Sequence, residues 1–285
     1  MILRPEREMP LLEFLFEAMP DKSRTTVKSY LTKRLVSVND LTTTQFNFPL
    51  RAGDRVTIGS GRTAPTPKSQ QLQIVYEDSD IVVINKRNGL LSIGTDKEQK
   101  RTAYYILSDY VKQQHPDNKI FVVHRLDRET SGLMMFAKSQ EVQEQMQRGW
   151  HRLVLDRRYV AVIEGALPGG EGEINAPLTQ DRNHKMWVTR PGEGEEAITY
   201  YTTLRRGENY SLVDLRLVTG KKNQIRAHLE WKGTSIAGDK KYSAKTNPAS
   251  RVCLHAYRLS IVHPTTGKQL DFDTRIPKLF EDCVK

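Results

Sequence analysis

The residues that most constrain the architecture of this chain are HRLDRETSGL, at positions 124–133. They follow the apolar residues 121–123 (FVV) and lead into residues 134–137 (MMFA), which predicts a polar loop between two buried strands. Rigid elements that present such a loop are a common setting for catalytic groups. Arginines flank Asp127 on both sides, and nearby cations favour an ionised carboxylate. Asp127 is therefore a candidate nucleophile or base, with a structural ion pair as the alternative.

Strands and helices alternate irregularly on both sides of this loop. Strands are predicted at residues 72–76, 81–84, 159–163 and 211–217, and helices at 102–114, 141–147 and 224–231. Gly233 ends the last helix. This irregular order favours an α+β fold, with a mixed, largely antiparallel central sheet and flanking helices, over a doubly wound parallel sheet.

Residues 1–60 are predicted to form a separate small α/β domain. Pro10 opens a first helix, and Asp21 or Ser23 caps a second one, with short strands at residues 36–38 and 55–58. The stretch GSGRTAPTPKS at residues 59–69 has the composition of a linker. We therefore expect domains at 1–60 and 72–285, with a linker at 61–71.

The net charge of +10 favours a polyanionic partner, because Lys and Arg side chains on phosphates release condensed counterions. Only two cysteines are present, without metal-type spacing, so a reduced cytoplasmic compartment is expected. The sequence has no signal-peptide pattern and no apolar run of membrane-spanning length, so no membrane segment is expected. The histidine spacing fits no standard metal site.

The string at 124–133 closely resembles the central motif of the RluA-type pseudouridine synthases, His-Arg-Leu-Asp, two variable residues, then Thr-Ser-Gly-Leu. The resemblance covers nearly all of residues 72–273. Three positions depart from the family pattern: Arg87 replaces a proline, Lys221 an arginine and Asn223 a histidine. The further motifs that carry the resemblance are VYED at 75–78, VINK at 83–86, RYVA at 158–161, NAPL at 175–178, TGKKNQIRAHL at 219–229, GD at 238–239 and LHA at 254–256.

The resemblance implies a role for each matching position. Asp127 would attack the target nucleoside, and Arg226 would pair with Asp127 and fix its orientation. Tyr159 would stack on the target base and help to remove its C5 proton. Arg125 would displace the base and fill the vacancy, and Ile225 would form an apolar wall. Without the family resemblance, Tyr159 would be interpreted as an aromatic residue of the core, and Arg226 as a charged residue on a helix surface.

The departures at Lys221 and Asn223 are expected to alter RNA contacts more than the catalytic chemistry. Lys221 retains a cation that can contact RNA where the family has arginine. The reaction needs no redox change and no energy input, so no cofactor and no metal are expected.

The N-terminal region resembles the alpha-L RNA-binding domain, a module shared with a ribosomal small-subunit protein. On that resemblance, four basic side chains of the second helix and its end would contact phosphates, which position RNA without reading its sequence. The alternative is an ordinary solvated helix face. The four residues are Arg24, Lys28, Lys33 and Arg34.

The expected function is uridine-to-pseudouridine isomerisation in structured RNA. Ribosomal RNA is favoured over transfer RNA as the substrate. A cytoplasmic monomer without an obligate protein partner is expected. One alternative is a non-catalytic RNA-binding or ribosome-assembly factor on the same scaffold. A second is a glycoside hydrolase, which would need a second catalytic carboxylate such as Glu129 beside Asp127.

Overall fold

The computed structural model describes residues 1–33, 35–39, 41–59, 67 and 69–285. Within these ranges lie seven α-helices and one 3-10 turn at Lys240–Tyr242. The helices are α1 Leu11–Ala18, α2 Arg24–Thr32, α3 Ala103–Gln114, α4 Gln140–Arg148, α5 Trp150–Leu153, α6 Gln224–Trp231 and α7 Lys278–Asp282.

The same residues form eighteen strands. In chain order these are β1 Ile2–Leu3, β2 Met9–Pro10, β3 Val36–Val38, β4 Leu41–Thr42, β5 Pro49–Leu50, β6 Val56–Ile58, β7 Leu72–Glu77, β8 Ile81–Lys86, β9 Phe121–Val122, β10 Ser131–Ala137, β11 Val154–Glu164, β12 Glu171–Asn175, β13 Leu178–Gln180, β14 Met186–Val188, β15 Ile198–Arg206, β16 Tyr210–Leu217, β17 Leu254–Val262 and β18 Gln269–Asp273.

The chain divides into two compact units. Unit one contains residues 1–85, 94–124 and 135–147, and unit two contains residues 86–93, 125–134 and 148–285. These units describe how contacts cluster, and the predicted domains at 1–60 and 72–285 stay a prediction. Within unit one, Thr43 bridges to Tyr76 and the Thr44 hydroxyl donates to the Val75 carbonyl, so contacts join residues 1–60 to β7. The predicted linker lies partly outside the described residues, so the boundary at 61–71 stays a prediction.

The N-terminal part of unit one has its own apolar core, in which α1 and α2 pack with a sheet of order β1-β6-β3-β4. Ser23 rather than Asp21 caps α2, since its hydroxyl accepts a hydrogen bond from the Thr26 amide at 3.1 Å. Leu11, Leu15 and Val27 are fully buried. The helical spacing of apolar residues therefore predicted this local structure correctly.

The rest of unit one forms around β7, β8, β9 and α3. The apolar run of β8 is almost wholly buried, and β8 lies between β7 and β10. Thr102 caps α3 through a bond from the Tyr105 amide at 3.0 Å, in agreement with the helix predicted at 102–114.

Unit two is built on a mixed, largely antiparallel sheet. Its strands follow the order β12-β15-β16-β11-β17-β10, and β18 pairs with β17. All of these pairings are antiparallel except that of β10 with β17. The predicted α+β class with a mixed sheet and flanking helices is confirmed. No helix among the described residues is both long and apolar enough to cross a membrane.

Gly132 allows the parallel pairing of β10 with β17. Its φ of +117° is accessible to glycine, and it lies opposite Ala256 in the register. A Cβ at this position would overlap the backbone of Ala256. The glycine of the 124–133 string is thus required by a close approach of two backbones, five residues after Asp127.

Candidate active site

The loop that carries Asp127 is fixed by the segment 86–93 of the same unit. The Ser92 hydroxyl donates to the Leu126 carbonyl at 2.6 Å and accepts from the Leu126 amide at 3.1 Å. The Gly89 amide donates to the Arg128 carbonyl at 2.7 Å. The backbone on both sides of Asp127 is therefore held by hydrogen bonds, which limits the motion of Asp127.

Lys86 is a buried cation beneath this loop. Its side chain is fully buried, and its ammonium group donates to the carbonyls of Leu90 at 2.8 Å, Arg87 at 3.1 Å and Arg128 at 3.3 Å. Burial lowers the pKa of Lys86 to about 7, against the opposing attraction of Asp127 and Glu129. Three carbonyl acceptors match the three donors of an ammonium group.

A second loop, 218–223, leads into α6 and is held by Gln224. The Gln224 amide oxygen accepts from the Lys221 backbone amide at 3.0 Å and the Thr219 hydroxyl at 2.8 Å. Its amide nitrogen donates to the Ile198 carbonyl and the Thr199 hydroxyl, each at 3.0 Å. These bonds fix the start of α6, so Arg226 in its first turn projects from a rigid base.

A cavity of about 420 Å³ lies where these two loops meet, within unit two. It contains every residue that sequence analysis assigned to the chemistry and the base pocket. Its lining also includes residues that sequence analysis did not select, among them Arg157, Lys222 and Asn223. The lining residues are Arg125, Leu126, Asp127, Thr130, Arg157, Tyr159, Leu217, Gly220, Lys221, Lys222, Asn223, Gln224, Ile225, Arg226 and Leu254.

Asp127 has a raised pKa in this setting. Burial raises the pKa of its carboxyl, while the neighbouring Arg226 opposes that rise. The Asp127 side chain keeps a quarter of its surface exposed, so it faces the cavity rather than the closed core. A carboxylate held partly desolvated beside a guanidinium is suited to act as a nucleophile.

Arg226 contacts Asp127 differently from the expected orienting pair. A single guanidinium nitrogen, Nη1, lies 3.5 Å from Asp127 Oδ2. The two short bonds of the guanidinium go to Asp239, from Nε at 2.6 Å and from Nη2 at 2.8 Å. The bidentate partner of Arg226 is therefore Asp239, which is fully buried and which sequence analysis did not select.

Tyr159 lies on β11 and faces the same cavity. Its backbone pairs with Leu215 of β16 and Ala256 of β17, which places it in the centre of the sheet. The residue is 8% exposed. Burial raises the pKa of its hydroxyl, Arg157 opposes that rise, and the charge of Asp127 adds to it. The ring thus stays neutral and offers an apolar face near Asp127.

The remaining predicted pocket residues also line the cavity. Ile225 is buried in its wall, and Arg125 is exposed at the loop that carries Asp127. Lys221 is held by an ion pair, with its Nζ 2.5 Å from Glu195 Oε2. An RNA phosphate would compete with this exposed carboxylate for the Lys221 ammonium group.

The basic residues predicted to bind phosphates lie in unit one. Arg24, Lys28 and Lys33 are exposed on α2 and at its end. The Arg24 guanidinium lies 5.0 Å from the centre of the Phe16 ring. Arg34 lies outside the described residues. The exposure of the three described side chains is compatible with phosphate contacts and with a solvated helix face alike.

The glycoside hydrolase alternative required a second carboxylate in the cavity. Glu129 lies near, since its Oε2 is 3.5 Å from the same Arg226 Nη1 that contacts Asp127. However, among the described residues Glu129 is absent from the cavity lining, whereas Asp127 is present.

The described residues also contain no cluster of histidine, cysteine and carboxylate side chains that could hold a metal ion.

Comparison with known proteins identifies the family. Residues 80–231, more than half of the chain, match the family described as RNA pseudouridylate synthase. This range contains Asp127, Tyr159 and Arg226.

The chain belongs to this family.

Individual relatives agree with the assignment. An uncharacterized RNA pseudouridine synthase of Bacillus subtilis (strain 168) is 31% identical over 284 residues, covering 96% of this chain and 92% of the relative. The ribosomal large subunit pseudouridine synthase D of Haemophilus influenzae is 29% identical over 287 residues, covering 95% and 88%. The solved structure of human RNA pseudouridylate synthase domain containing 4 matches with a TM-score of 0.60 and 25% identity, over 73% of this chain and 90% of that chain.

The protein is therefore an RNA pseudouridine synthase of the RluA type, an isomerase that acts on RNA. The predicted family and the predicted activity are confirmed, and the catalytic role of Asp127 stays a prediction. The non-catalytic and glycoside hydrolase alternatives find no support in these comparisons. The mixed sheet with flanking helices is the fold that this synthase shares with its structural relatives.

Proposed function

We propose that this synthase isomerises uridine in ribosomal RNA, with Asp127 as the attacking carboxylate. The observation that carries the proposal is the cavity in which Asp127, Tyr159 and Arg226 lie together. Two relatives are named ribosomal large subunit pseudouridine synthase D, and the match to this chain covers 88% and 74% of their lengths. Their name favours large-subunit RNA as the substrate.

The roles follow from the chemistry of the isomerisation. The N–C glycosidic bond of uridine must break, the uracil must turn, and a C–C bond must form with loss of the C5 proton. Asp127 attacks the target nucleoside, and Arg226 limits the positions of its carboxylate. Tyr159 stacks on the uracil, and Ile225 closes the pocket. Atoms and electrons balance without a cofactor, because the bond that Asp127 forms with the nucleoside breaks again before product release, and the proton lost from C5 is matched by one gained at N1.

The target base must first leave its stack, which costs a few kcal/mol. Arg125 is exposed at the edge of the cavity, and a planar guanidinium can occupy the space that the base leaves. Lys221, once released from Glu195, supplies a cation for the RNA backbone. Arg24, Lys28, Lys33 and Arg34 add phosphate contacts from an alpha-L-type domain. We further propose that the synthase is a cytoplasmic monomer.

The test is to map pseudouridines in ribosomal and transfer RNA from a strain that lacks the gene, with and without complementation. We expect one or more ribosomal sites to lose pseudouridine and to regain it with the wild-type gene. Asp127→Asn should not restore the modification, although the purified variant should still bind the RNA. Loss at transfer RNA sites alone would reject the ribosomal assignment.

The matched control is Asp117→Asn, which removes the same charge from an exposed carboxylate of unit one. It should restore the modification fully. Pseudouridine formed by purified Asp127→Asn would reject Asp127 as the attacking group.

A further inference from the structure

The carboxylate of Asp127 has a closer polar neighbour than Arg226. The side-chain amide of Asn223 lies 2.9 Å from Asp127 Oδ1 and 2.7 Å from Oδ2, and its other end lies 3.0 Å from the Tyr242 hydroxyl. The contact from Arg226 to the same carboxylate is 3.5 Å. The shortest polar contacts of Asp127 in the cavity therefore come from a neutral amide.

The chemistry of the groups decides which way this amide points. An ionised carboxylate only accepts hydrogen bonds, so the amide nitrogen must face Asp127. The amide oxygen then faces Tyr242 and accepts a bond from its hydroxyl at 3.0 Å. In the reverse orientation an amide oxygen would lie against a carboxylate, and both would be acceptors. Only one orientation satisfies Asp127, Asn223 and Tyr242 together.

The backbone and the surrounding packing keep Asn223 in this place. Asn223 has a φ of 51°, in the left-handed region that asparagine tolerates, directly before α6. Tyr242 is fully buried, and its hydroxyl also accepts a bond from the Met186 amide at 3.2 Å. The Tyr242 ring lies 4.9 Å from the Arg226 guanidinium. Tyr242 thus supports both groups that contact Asp127.

We propose that Asn223, oriented by Tyr242, is a positioning residue that holds both oxygens of Asp127 in the geometry of attack. This inference rests on the proposed function, since it assigns a role relative to Asp127. A carboxylate that accepts two hydrogen bonds from one amide cannot rotate about its terminal torsion without losing them. Burial alone would favour the protonated acid, and donated hydrogen bonds favour the ionised form that attacks.

Several charged or titratable groups act on Asp127 besides this amide, so a change at position 223 must be separated from them. They are Arg226, Glu129, Arg125, Lys86, Tyr159 and Tyr242. None of these six groups is substituted in the Asn223 variants, and Tyr242→Phe changes Tyr242 alone.

The experiment measures the single-turnover rate of pseudouridine formation with saturating enzyme, together with the Kd for the same RNA. Because bonds to charged groups are the stronger ones, Asn223→Ala should lower the rate about ten- to a hundredfold. The Kd should change little. Asn223→His should recover most of the rate, since an imidazole also offers one donor and one acceptor. Tyr242→Phe should lower the rate in the same direction by a smaller factor.

A second variant supplies a readout that a merely structural role would not change. Asn223→Asp keeps the size of the side chain but sets a carboxylate against Asp127, and a like charge raises the pKa of its neighbour. The acidic limb of the rate profile should therefore move to higher pH. Asn209→Asp, in the exposed turn between β15 and β16, adds the same charge away from the cavity and should leave the profile unchanged.

Wild-type rates in Asn223→Ala and Asn223→Asp would overturn the inference, as would a loss confined to the Kd. If Asn223→Ala does not fold, an unchanged pH profile in Asn223→Asp together with a wild-type rate in Tyr242→Phe overturns it as well. If the wild-type protein forms no pseudouridine in any RNA, the proposed function has failed instead, so the two failures are distinguishable.

Discussion

The guanidinium of Arg226 is fixed by Asp239, through bonds of 2.6 Å and 2.8 Å that use two of its three nitrogens. The third nitrogen, Nη1, is left to contact Asp127 and Glu129, each at 3.5 Å. Arg226 thereby places a positive charge near Asp127 without forming a short ion pair with it.

Asp239→Asn should impair both stability and catalysis. Removing one partner of a buried ion pair costs up to about 3–5 kcal/mol, and the carboxylates of Asp127 and Glu129 near Nη1 offset part of this cost for Arg226. Arg226 should then shift toward Asp127 and hold it more tightly, so pseudouridine formation should slow at unchanged RNA affinity. Urea denaturation and single-turnover kinetics would measure the two effects.

Glu17→Gln is the control for this change, because the Arg7–Glu17 pair has a similar distance of 2.9 Å but is exposed. An exposed pair contributes about 0–1 kcal/mol, so its loss should be small. Equal effects of the two substitutions on unfolding would contradict the role assigned to Asp239.

Asp127→Asn should change stability in a direction that depends on pH. Burial raises the pKa of Asp127, so the folded state favours the protonated acid. Below the unfolded pKa, about 4, the acid is protonated in both states. As pH rises through the folded pKa, wild-type stability is lost through ionisation, whereas asparagine stays neutral. The free energy of unfolding of the variant, relative to wild type, should therefore increase between pH 4 and pH 7.

Thermal or urea unfolding of both proteins across this pH range would check the sign. A variant whose advantage stays constant, or decreases toward neutral pH, would show that Asp127 does not carry a raised pKa in the folded protein.

Gly132→Ala should prevent β10 from pairing correctly with β17. The added Cβ would lie 2.6 Å from the Ala256 amide nitrogen and closer still to the carbonyl, in backbone that cannot move without breaking the pairing of β10 with β17. The loss of stability should exceed about 4 kcal/mol, which is large for one substitution. Circular dichroism and the yield of soluble protein would report it.

Gly267→Ala is the matched change. Its φ of +68° is also in the left-handed region, but nothing lies within 4 Å of the added Cβ. Only the backbone strain of about 1–2 kcal/mol is then expected. If Gly132→Ala behaves like this control, the close approach to Ala256 is not what the glycine is needed for.

Local structure and the chemical class were accessible from the sequence because both depend on short-range patterns. The helix predicted at 224–231 has the observed bounds of α6, since apolar periodicity and Gly233 mark it locally. Asp127, Tyr159 and Arg226 were identified through motifs, and the structure brings all three to one cavity. The choice between Asp21 and Ser23 as a cap stayed open in the sequence, because both side chains can accept the bond.

The sequence by itself determined several of the elements, the residues that the motifs assign to the chemistry, and the family to which those motifs point. Only the tertiary structure decided which partner each charge takes. Arg226 binds Asp239 rather than Asp127 in the bidentate mode, and the Asn223 amide lies against a carboxylate from a distant loop. Hydrogen bonds and ion pairs depend on ångström-scale distances between segments remote in sequence, and those distances are set when the sheet and α6 pack together.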